Sequence, residues 1–105
     1  MPNTFLSKTD AGVTGNATIY TVGGSTTTVI LGCLIGNTTS GQVTTTVTLV
    51  KNVGDNVALL TNAPVPAGSS LELLSGNKVV AETSDAIQVS ATGAVDVALS
   101  IMEIT

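Results

Sequence analysis

Acid–base and nucleophilic chemistry needs groups that titrate near neutrality or can be activated, and this chain holds few. It contains no histidine and no arginine. An ordinary Ser–His or Cys–His dyad is therefore impossible, and so is a bidentate guanidinium clamp on phosphate or carboxylate. Cys33 is the sole cysteine, which excludes an intramolecular disulfide and a cysteine-based transition-metal site. It lies in the apolar stretch VILGCLIG, where a buried small hydrophobe is expected. The carboxylates Asp10, Asp55, Glu72, Asp85, Asp96 and Glu103 fall mostly in turns or on outward strand positions, the usual solvated place for acidic residues. Asp55, Asn56 and Asp85 sit in loops where oxygens could converge on calcium, but these residue types are also ordinary turn formers. GNTTSG lacks the lysine and the strand-to-helix setting of a phosphate loop. No catalytic residue, metal ligand or cofactor is assigned.

Charge narrows the partners. Three lysines (Lys8, Lys51, Lys78) against seven acids give a net charge of −4 and a pI near 4.1. Cations this sparse cannot release the counterions of a nucleic acid, so nucleic acid is not an expected partner. No apolar run approaches the length of a membrane helix, and the first residues, MPNTFLSKTDAGVTG, have neither the basic nor the apolar region of a signal peptide. Two Asn-x-Thr triplets, at Asn16 and Asn37, are expected by chance in a threonine-rich chain. Sugar stacking would rest on Tyr20 alone. The threonine runs STTT and VTTT do not make a flat ligand array, because adjacent side chains on a strand point to opposite faces.

The elements that must position any site read as short strands. With 105 residues, 43% hydrophobic and only 2% aromatic, one domain with an aliphatic core is expected. Residues 1–16 show little alternation and read as an N-terminal arm carrying the sole Phe. Residues 17–105 read as an antiparallel β-sandwich, jelly-roll or Ig-like, of about eight strands: 17–22, 26–35, 42–50, 56–61, 69–74, 78–82, 86–91 and 95–104. The turns between them are rich in Gly, Asn, Asp and Pro, and no gap admits a parallel crossover helix. Val43, Thr45, Val47 and Leu49 share one face with core character, as do Val95, Val97, Leu99 and Ile101. Val57 and Leu59 form another inward pair; Leu71 and Leu73 oppose Glu72 and Leu74. Strand 26–35 is apolar on both faces from Val29, which predicts a central strand buried on both sides, with a bulge or a close approach by a neighbour at Gly32. Pro64 and Pro66 mark an edge or a crossing between sheets.

The order of features, with TIYTVGGSTTTVILGCLIGNTTSGQVTTTVTLV, then PVPAGSSLELLSGNK, DAIQV and the final SIMEIT, resembles small virion structural proteins of tailed bacteriophages, particularly cyanobacterial and marine phages. The resemblance spans nearly the whole chain. It implies a non-enzymatic virion protein assembled in the host cytoplasm, first of all a head decoration (cement) protein. A neck, tail or fibre-associated component is the alternative; a glycan-binding adhesin module is a rival from another class. The implied partners are the major capsid protein and copies of the chain itself, as a homotrimer, with no nucleic acid, membrane or small-molecule substrate. Phe5, Leu6 and Lys8 of the arm are the expected partner-binding residues.

Overall fold

The computed structural model describes residues 3–73 and 78–105. Among them are seven strands and no helix: β1 (Asn3–Thr21), β2 (Thr27–Asn37), β3 (Val43–Val50), β4 (Val57–Val65), β5 (Ser70–Glu72), β6 (Val79–Ala81) and β7 (Ala86–Ile104). Every pairing is antiparallel. The β-sandwich expected from the alternation is present, with one strand fewer than the sequence suggested. Segments 86–91 and 95–104 are a single strand, because ATG bends the chain without turning it back. The expected strand end at Leu74 and most of the SGNK turn lie outside the described residues.

β7 organises the molecule. One edge pairs with β1 along its whole length, from Asn3 opposite Ile104 to Thr21 opposite Ala86. The other edge is divided: residues 86–91 pair with β3, and residues 95–104 pair with β2. The curled sheet therefore has two halves. The first runs β1–β7–β3–β4, and the second runs β1–β7–β2 with β5 and β6 sharing the far edge of β2. Inward residues of both halves, among them Ile35, Val47, Val65, Val89, Val95 and Leu99, meet in one aliphatic core. The bend of β7 needs Gly93, since a Cβ there would lie 2.6 Å from Cγ1 of buried Val43.

The segment expected as an arm, 1–16, is from Asn3 onward part of β1, and no break in the strand occurs at residue 16. Its lack of alternation has a physical reason: the first buried side chain of β1 is Val13, so residues 3–12 are held mainly by backbone pairing. Gly12 and Gly15, with φ of +67° and +65°, put two bends into β1 where its register shifts.

β3 matches its expected pattern: Val43, Thr45, Val47 and Leu49 are buried, and the Thr45 hydroxyl donates to the Ala63 carbonyl at 3.5 Å. β4 departs from expectation. Asn62, at φ +47°, interrupts the strand, so Ala63 and Val65 continue the inward row opposite Thr45 and Val43; Val57 is 48% exposed. Pro64 sits in this terminal strand, where its missing N–H does no harm, and the chain then crosses to β5 in the other half, as expected from the Pro pair. The expected bulge at Gly32 is present between Ile30 and Gly32.

Candidate interaction surface

Most polar groups with chemical potential are tied up by the fold. Asp85, 1% exposed, accepts from Lys51 Nζ at 2.6 Å, from the Asn52 N–H at 2.9 Å and from the Glu82 N–H at 2.9 Å. Burial acts to raise its carboxyl pKa, yet these donors together hold it below the usual carboxylate range. Asn56, the neighbour considered for calcium, instead accepts the Lys51 N–H through Oδ1 at 3.1 Å. Tyr20 reaches from one half of the sheet to the other, donating to Glu103 Oε2 and accepting from buried Thr28 Oγ1 at 2.8 Å. Burial and then the Glu103 carboxylate raise its phenol pKa. Tyr20, the side chain considered for sugar stacking, is thus 7% exposed. Cys33 is buried in the core, and its backbone N–H donates to Glu72 Oε2 at 3.2 Å. Among the described residues, no cluster of three or more His, Cys, Asp or Glu could hold a metal ion.

The surface with binding character is the outer face of the β1–β7–β2–β5/β6 half. Register places Phe5 opposite Met102, Met102 opposite Val29, and Val29 opposite Val80. These four residues form an apolar row across four strands. Phe5 is 71% and Val80 53% exposed. Two rungs further along, Thr9, Ala98 and Leu34 form a second row, and here Leu34, Gly36, Ala98, Thr9 and Asp96 line a groove of about 300 Å³. Among the described residues, three of the five exposed large hydrophobic ones, Phe5, Leu34 and Val80, fall on this one face. Grouped exposed apolar side chains of this kind mark interaction sites.

The expected partner-binding residues are split by the strand pleat. Phe5 points outward, whereas Leu6 packs against the core and Lys8 is half-buried with its Nζ 6.0 Å from the Tyr20 ring centroid. Sequence reasoning missed Val29, Leu34, Val80 and Met102. The signal was present, since strand 26–35 is apolar on both faces, but that pattern was read as burial on both sides. β2 is central in its sheet, as expected, yet its outer face is covered by no element among the described residues, and Leu34 remains 42% exposed. An apolar face left uncovered and one buried in the chain's own core look alike in sequence.

No family model and no curated protein sequence matches the chain. Its fold is similar to solved structures. A protein from Bacillus endospore appendages, described as a novel family of disulfide-linked pili, aligns with a TM-score of 0.57 at 17% identity, over 97% of this chain and 84% of that one. A chain of infectious bursal disease virus, Gx strain, aligns with a TM-score of 0.53 at 10% identity; 96% of this chain matches 32% of that chain, so it spans about a third of the viral protein's length. The likeness at such identities is one of fold.

Proposed function

We propose that the chain is a non-enzymatic structural subunit of a virion, a head decoration protein that bridges neighbouring capsid subunits as a homotrimer and makes the shell harder to open. The observation that carries this reading is the uncovered outer face with its row of Phe5, Met102, Val29 and Val80. A face built this way suits contact with another protein surface. The fold likeness to a viral chain and to an appendage protein supports a role in assembly. Many symmetry-related attachments make modest affinity at each site sufficient. Cys33, buried with a pKa pushed up to about 11, is no thiol for intersubunit links, so the contacts would be non-covalent.

A second reading, a neck, tail or fibre-associated component, is favoured by the elongated shape, 45 × 26 × 22 Å. Counting copies per virion in a reconstruction separates the two. Copies on the order of hundreds mean shell, and a dozen or fewer on the tail axis mean neck or tail. Absence of the protein from purified virions overturns both.

A further inference from the structure

We propose that residues 3–11 of β1 exchange between copies of this chain, each segment pairing with residues 97–104 of a neighbouring copy's β7. Three observations converge. First, no side chain in residues 3–12 is buried; Leu6 and Lys8 are half-buried and the rest lie exposed. The segment's attachment is mostly the backbone ladder running from Asn3 opposite Ile104 to Asp10 opposite Val97. Second, Gly12 separates the segment from the anchored part of β1, which buries Val13 and Tyr20, and Gly15 puts a further bend just after Val13. Both glycines have left-handed φ, the conformation in which a chain redirects at least cost. Third, the acceptor edge on β7 is already shaped for this sequence, since it holds the same segment within one chain.

An exchanged segment re-forms identical rungs in a neighbour, so the two arrangements differ chiefly in the hinge and in the effective concentration of the neighbouring edge. Crowding of subunits in an assembly therefore favours exchange. The inference rests on the assembly reading above and specifies how copies would join. The hinge also has a latch: the Gly12 N–H donates to Asp96 Oδ1 at 2.9 Å, holding the first bend against β7.

The test uses the full chain with Ser7→Cys and Ser100→Cys together. These residues are exposed register partners on β1 and β7, and buried Cys33 stays out of reach of oxidant. The protein is concentrated, oxidised gently, run without reductant and mapped by mass spectrometry, with its unoxidised size measured by light scattering. Exchange predicts a ladder of covalent multimers whose links join position 7 of one chain to position 100 of another. Links found within single chains, links joining 7 to 7 or 100 to 100, or no 7-to-100 link at all would overturn it. If light scattering or virion binding shows assembly while every link stays within one chain, exchange fails and the structural-subunit reading stands. Multimers linked 7 to 100 in a protein that is absent from virions would leave exchange standing and remove the virion reading.

Discussion

The Cys33 thiol sits where water and oxidant do not reach, 1% exposed, and its pKa of about 11 follows first from burial and then from the negative charge of Glu72. Thiolate is the reactive form, so the native protein should be inert to Ellman's reagent at about pH 8 and react with one equivalent once unfolded in guanidinium; fast labelling of the folded chain would contradict this. Asp85 behaves in the opposite sense. Its donors keep the folded carboxyl below the ordinary value near 3.9, so the unfolded chain binds that proton more tightly. The resulting stability is complete above the unfolded pKa and is lost as pH falls through the lower folded value. Asp85→Asn should therefore destabilise the protein at pH 6, and the gap between the two melting temperatures should narrow as pH is lowered toward about 3. A gap constant with pH would show that the carboxylate charge is not what matters.

At the scale of elements, bends and turns are held by particular side chains. Gly93→Ala would drive a methyl into Val43 Cγ1, an atom on a stiff β-branched side chain; a loss of roughly 1–3 kcal/mol in chemical denaturation is expected from overpacking of this kind. Asn37, 4% exposed, closes the β2–β3 turn by donating to the carbonyls of Gly41 and Val65 while its own oxygen accepts from Thr39 N–H and Oγ1. Asn37→Asp removes both donations and faces the carbonyls with an anion, for an expected loss of roughly 2–4 kcal/mol. The strands with one wet and one dry face, β3 and the second half of β7, were legible because burial imposes a period of two on them. The start of β1 was not, since a strand that buries nothing leaves no pattern in its side chains. Phe5 was expected to contact something, and the structure places it exposed on the outer face. Its neighbours Leu6 and Lys8 belong to the other face, which only the pairing register reveals.

For the whole molecule, the outer apolar face separates assembly from stability. Phe5 is exposed and Val80 half-exposed, so Phe5→Ser and Val80→Ser together should change unfolding free energy by little, about 1 kcal/mol or less. If this face makes the proposed contact, the same pair should weaken binding to shells or self-assembly markedly, as sedimentation with shells or light scattering would register. Unchanged assembly would move the contact elsewhere. The full-length ladder between β1 and β7 has a mechanical consequence as well. Asn3 and Ile104 are opposite one another at the same end of the sheet. A force that pulls these two residues apart opens the rungs one after another, as in peeling. A tension carried along the axis of β1 loads the rungs together, in shear. The protein should thus give way easily when Asn3 and Ile104 are drawn apart and resist when the load runs lengthwise along its first strand.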